Sequence, residues 1–228
     1  MTATATASAD ADEDPALTAE PVSDERVSTG CGGFHFVLTP GRVVAAESDH
    51  GRGVMQAKLA VYRQGESVQT VSLSIDNNSG FLDPEVVCGD FNFDGHEDFA
   101  VNDADSGSYG SPSYAVFLYQ PRRKAYVLSP ELSRLTEESL GFPTVDSSKR
   151  RLMASSKSGC CIHWHSEYAV VGDVPLRMKT VTDEDSANGS CLVTTELRGK
   201  DGAWRQSRRS LRHPCPPDES DELAADAR

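Results

Sequence analysis

The sequence predicts an all-β protein with one short helix, folded as a degenerate β-propeller-like or sandwich-like assembly. Three observations predict it. Apolar residues alternate with polar ones at period two, turn residues recur at intervals of roughly 10–15, and only one segment carries helix start and stop signals.

Taken in order, Met55, Ala57, Leu59 and Val61 alternate with Gln56, Lys58, Ala60 and Tyr62, as in a half-buried strand. Val71, Leu73 and Ile75 repeat the pattern, and residues 76–80 (Asp-Asn-Asn-Ser-Gly) turn the chain. Residues 84–88 read as a further strand. Residues 114–119, Tyr-Ala-Val-Phe-Leu-Tyr, form a more fully apolar run, the mark of a strand covered on both sides. Strand patterns follow at residues 125–128, 151–154, 168–171, 176–181 and 191–197. The one helix begins at Ser129-Pro130-Glu131, an N-cap with proline in the first turn. Leu132, Leu135 and Leu140 supply its buried stripe, and Gly141-Phe142-Pro143 stops it.

Charge divides the chain. Residues 1–27 and 217–228 carry −6 and −4 of the formal −13, which leaves −3 for residues 28–216. The two ends read as disordered acidic tails around a single β domain. A nearly balanced body lacks the clustered positive surface that binding phosphates requires, so nucleic acid is not an expected partner. The basic stretch at residues 205–212 reads as the exposed face of a strand or turn. No apolar run approaches the roughly 18–20 residues of a transmembrane helix, and the N-terminus lacks the basic-then-apolar pattern of a signal peptide. The six cysteines, Cys31, Cys88, Cys160, Cys161, Cys191 and Cys215, form no C-x-x-C pair. An even number in a body of this size suits up to three disulfides and hence a periplasmic or otherwise exported protein.

Residues 90–98, Asp-Phe-Asn-Phe-Asp-Gly-His-Glu-Asp, place Asp90, Asn92, Asp94 and Asp98 at positions one, three, five and nine of a D-x-N-x-D-G-x-x-D loop. Calcium takes six to eight hard oxygen ligands, and alternate residues of a tight loop all point inward. Gly95 permits the bend, and His96 would contribute its backbone carbonyl. An EF-hand needs a glutamate at position twelve, where this chain has Val101, and no helical pattern precedes the loop. The spacing therefore resembles the strand–loop–strand calcium loops of FG-GAP propeller repeats, with Phe91, Phe93 and Phe99 anchoring the loop in the core.

Two further segments carry candidate contact groups. In residues 156–168, an extended backbone puts Cys161, His163, His165 and Glu167 on one face and Cys160, Ile162, Trp164 and Tyr168 on the other. Disulfided cysteines on a surface loop, a recognition loop, a transition-metal site and a Cys161–His163 nucleophile are the readings open here. Residues 103–114 form a polar loop with Tyr109 and Tyr114, which follows the calcium loop and would be stiffened by its ion. The candidate partner-binding residues are Tyr109, Tyr114, His163, Trp164, His165 and Tyr168. No G-x-S-x-G, H-E-x-x-H or phosphate-cradling glycine loop is present, so the chain reads as a binding protein and not an enzyme.

The segments 89–98, 110–119, 127–130, 157–161 and 167–171, in this order and spacing, resemble the family of periplasmic immunity proteins that protect bacteria from lysozyme-like effectors of the bacteria-killing type IV secretion system. The resemblance spans residues 85–182. It implies a degenerate β-propeller with one bound calcium, held by Asp90, Asn92, Asp94, Asp98 and the His96 carbonyl, in an exported protein. It also implies inhibition of a peptidoglycan hydrolase by occupation of its cleft. The alternative reading of the same residues is a calcium-binding envelope or surface module, structural or adhesive, without inhibitory activity.

Overall fold

Period-two burial builds the first of three antiparallel sheets. The computed structural model describes residues 27–41, 43–45, 53–76, 85–186 and 190–212. Strands β1 (Val27–Cys31), β2 (Phe34–Thr39), β3 (Val43–Ala45), β4 (Gly53–Arg63) and β5 (Glu66–Asp76) form the N-terminal sheet. β2 and β3 pair with successive stretches of one edge of β4, and β5 covers the other. Phe34, Phe36 and Leu38 of β2, Met55 to Val61 of β4 and Val71, Leu73 and Ile75 of β5 bury one face of it at every second position. The predicted turn after β5 falls on residues 77–80, outside the described residues, as do the predicted acidic tails save Val27.

The second sheet comprises β6 (Val86–Gly89), β7 (Asp98–Ala104), β8 (Ser113–Gln120) and β9 (Ala125–Leu128). It is the middle layer. Phe99, Val101, Ala115, Phe117 and Tyr126 pack against the N-terminal sheet. Ala100, Tyr114, Val116 and Leu118 point the other way, into a second cluster with Leu132, Leu135, Leu152 and Ala154. Burial on both faces explains why residues 114–118 are apolar without alternation.

Helix α1 (Pro130–Glu137) follows β9, with Ser129 as N-cap accepting from the Leu132 N–H. Leu132 and Leu135 are buried as expected, but Leu140 lies beyond the helix and is 38% exposed. Thr136 takes the third inward place instead. Its hydroxyl oxygen accepts from the Tyr114 N–H at 2.8 Å, and the Ser133 hydroxyl accepts from Val116 N–H at 3.0 Å. β9 is too short to pair with this part of β8, and the helix hydroxyls complete the edge in its place.

The third sheet is a six-stranded meander, β10 (Thr144–Asp146), β11 (Arg151–Ser158), β12 (Ile162–Val171), β13 (Val174–Ser186), β14 (Ser190–Arg198) and β15 (Trp204–Arg212). Residues 156–168 are therefore a hairpin and not an irregular surface loop. The basic stretch 205–212 is the exposed edge strand β15. Cys31–Cys88 ties the β1–β2 hairpin to β6, and Cys160–Cys161 closes between neighbours in the β11–β12 turn. Among the described cysteines none is free. No described helix is long and apolar enough to cross a membrane.

Candidate calcium loop and contact surface

The loop between β6 and β7 is held by its own carboxylates. Both Asp90 oxygens accept backbone N–H groups, from Asp94 at 2.9 Å and Gly95 at 2.9 Å. The Asn92 side-chain oxygen accepts from Asp94 N–H at 3.2 Å, and Asp94 accepts from His96 N–H at 2.9 Å. Gly95 sits at φ +89°, the left-handed bend that its place in the motif requires. Phe91 and Phe93 are buried in the second cluster and Phe99 in the first, so the three anchors reach both cores. The His96 ring lies 3.0 Å from Asp94 and packs on Tyr119.

Asp98 is fully buried (0% exposed). One oxygen accepts from Phe91 N–H and the other from Tyr119 N–H, each at 2.9 Å, which joins the loop to the end of β8. Burial, with a smaller push from the charges of Asp94 and Asp90, raises its carboxyl to about 7 against the pull of those two N–H groups. Among the described residues no three Asp, Glu, His or Cys side chains converge on one point. The carboxylates face backbone N–H groups: each Asp90 and Asp98 oxygen accepts one of them and keeps a second lone pair, whereas one Asp94 oxygen meets both the His96 N–H and the His96 ring. Asp90, Asn92, Asp94 and Asp98 each carry side-chain oxygens on a loop with left-handed bends at Phe93 and Gly95, the donor type a hard cation takes, while the Asn92 amide nitrogen is turned to Asp94 and Asp173.

Two neighbours of this loop had no signal in its motif. Asp173, in the β12–β13 turn, accepts from the Asn92 amide at 2.9 Å. Arg150, in the β10–β11 turn, donates to the Phe93 carbonyl and lies over the Phe93 ring. Both contacts come from turns of the third sheet, and only tertiary folding brings them here.

The six predicted contact residues divide among four places. Tyr109 projects from the β7–β8 connection, 61% exposed. Its hydroxyl oxygen accepts from the Gly159 N–H, and the Lys157 ammonium lies 4.9 Å from the centre of its ring. Gly159, at φ +66°, opens the turn that Cys160–Cys161 then closes. Tyr114 is a correction: it is 4% exposed on the doubly covered strand β8, its hydroxyl donating to Glu85, and offers no contact surface. His163 and His165 lie on the outer face of β12 and share the Asp183 carboxylate at 3.3 and 3.4 Å, His165 also meeting Ser155 at 3.2 Å. Trp164 and Tyr168 point to the opposite face, as the extended reading of this segment requires, and line a recess. The disulfide between Cys160 and Cys161 removes the thiolate on which a transition-metal or nucleophile reading depends.

The 90–98 loop and the Tyr109 tip stand at opposite ends of β7. Seven residues of strand separate them, roughly 20 Å. Direct stiffening of the Tyr109 loop by an ion is therefore not what the fold provides. Hydrogen bonds within its own turn and to Ser139, from Ser108 N–H at 2.8 Å and Ser111 hydroxyl at 2.9 Å, hold that loop instead.

No protein-family model matches the chain, and no curated protein matches it. Among solved structures, a Xanthomonas protein described as related to the type IV secretion system has the same fold, with a TM-score of 0.63 and 22% identity. The match covers 81% of this chain and 94% of that one, so it embraces the three-sheet body and not one sheet alone.

Proposed function

We propose that this chain is a calcium-stabilised, exported binding protein that inhibits a lysozyme-like peptidoglycan hydrolase. The observation that carries the reading is the junction of Tyr109 with the β11–β12 turn, where the two segments singled out in the sequence form one projecting tip. A muramidase works in an open groove between two carboxylates. The tip offers an exposed aromatic ring, with the Lys157 cation beside it to meet those carboxylates. The Gly159 bond joins its two segments and the Cys160–Cys161 ring stiffens the β11–β12 turn, so binding orders little that is not already ordered. Two disulfides support an oxidising compartment. The Xanthomonas neighbour's relation to a secretion system supports the same setting.

Calcium in the 90–98 loop would supply stability and not chemistry, joining the oxygens of Asp90, Asn92, Asp94, Asp98 and the His96 carbonyl. The test is loss of cell-wall lysis when the purified protein is added to a panel of lysozyme-like hydrolases. Inhibition that weakens at least tenfold in Tyr109→Ala and in Lys157→Glu, with unchanged thermal stability, is the expected result. Undiminished lysis by every hydrolase in the panel would sink the proposal. Chelator should lower the melting temperature without touching the tip, through loss of the ligand-linkage term.

A further inference from the structure

Between the end of α1 and the inner face of the third sheet lies a recess of about 240 Å³. Trp164 and Tyr168, on one side of β12, give it two aromatic walls. Between them, the Ser166 and Thr180 hydroxyls lie 3.0 Å apart, and either can donate to the other. Ser156, opposite Trp164 in the β11–β12 register, adds a third hydroxyl. The rim holds one charge of each sign, Glu138 from the end of α1 and exposed Arg177 from β13. The Arg177 guanidinium lies 5.1 Å from the ring centre of Trp204, which holds it at the edge of the sheet.

We propose that this recess binds a single sugar ring. A pyranose presents flat C–H faces, which pack on aromatic rings, and a girdle of hydroxyls that each donate and accept. The reorientable Ser166–Thr180 pair, Ser156 and the two rim charges match that girdle. Opposite charges at the rim disfavour a ligand that is itself an anion or a cation, because one of the two would then repel it. The volume is below the roughly 300–1,000 Å³ of pockets for drug-sized ligands, so one ring fits and an oligomer does not. The recess faces away from His163 and His165 on the same strand. Its occupancy depends neither on calcium in the 90–98 loop nor on the Tyr109 tip.

Both tryptophans of the chain report on the recess, Trp164 as its wall and Trp204 through Arg177. The experiment is titration of the full chain with N-acetylglucosamine and with glucose, followed by tryptophan fluorescence and by calorimetry. The expected result is saturable binding of at least one of the two. It should weaken at least tenfold in Trp164→Ala and in Arg177→Ala, the latter an exposed rim position whose change leaves the fold intact. Absence of any saturable signal up to about 100 mM, a hundredfold above a ~1 mM site, would overturn the proposal. So would binding that survives at full strength in Arg177→Ala. Lysis inhibition by the same preparations is measured separately, so that failure of sugar binding leaves the hydrolase reading standing and the reverse.

Discussion

Asp98 holds three things together at once: the loop it closes, the backbone of Phe91 and the backbone of Tyr119 at the far end of β8. Its carboxylate is buried, so removing it strips the acceptor from the buried Phe91 N–H and from the half-buried Tyr119 N–H. Each stranded donor costs about 1–3 kcal/mol. Asp98→Ala should therefore lose about 3 kcal/mol or more of unfolding free energy without added calcium, measured by urea denaturation. Asp98→Asn should lose less, because its one remaining carbonyl oxygen still satisfies one of the two donors. The spacing of the motif identifies Asp98 as a loop residue, but its bond to Tyr119, twenty-one residues on, has no signature in sequence. Tyr114 shows the opposite difficulty. Its sequence carries two readings, the last aromatic of a polar loop and the first residue of a buried strand run, and the covering of β8 on both faces decides for the second.

At the scale of elements, α1 takes the place of a missing strand. Ser133 and Thr136 face the open edge of β8 and accept the N–H groups that a longer β9 would have taken. Thr136→Val keeps the volume but removes the acceptor and should destabilise by about 1–3 kcal/mol, with Ser133→Ala costing a similar amount. If Thr136→Val proves neutral by the same urea titration, the edge is satisfied in another way. The helix itself was legible from Ser129, Pro130, Leu132 and Leu135. Thr136 was not, because a polar residue at an inward position breaks the apolar stripe by which such a face is recognised. Leu140 falls outside the stripe because the helix ends at Glu137, three residues before it. In the third sheet, Gly172-Asp173 marks a two-residue hairpin turn, with both residues at positive φ. Counting back from that turn still fails to pair His163 with Asp183, because a bulge at Glu167/Tyr168 shifts the register by one.

The described body is three sheets deep, and its outer layers are joined to the middle one differently. The third sheet reaches the middle through α1, Leu152 and Ala154. The N-terminal sheet has a covalent tie as well, Cys31–Cys88, across 57 residues of chain. Closing a loop of that length in the unfolded state is worth about 4 kcal/mol on the chain-entropy estimate. The double replacement Cys31→Ala, Cys88→Ala should lower stability by about 2–4 kcal/mol, seen as a fall in the urea midpoint with a slope unchanged or somewhat steeper, because the opened chain unfolds to a more expanded state. A shallower slope would point to a change in the number of states. The β class and most strands from residue 55 on were foreseeable from period-two patterns, whereas β1 to β3, the number of sheets and their stacking order were not, because which edges and faces meet is recorded in no local pattern.

That stacking order also sets a timetable for synthesis. The apolar face of the N-terminal sheet, with Phe36, Leu59 and Ile75, is complete once residue 76 has been made. Its lid, β7 to β9, ends only at Leu128. The intervening stretch of about fifty residues takes several seconds at roughly 5–20 residues per second. Through that interval the growing chain carries every apolar residue of that face before its cover is complete, and that is when association through the face is most to be expected.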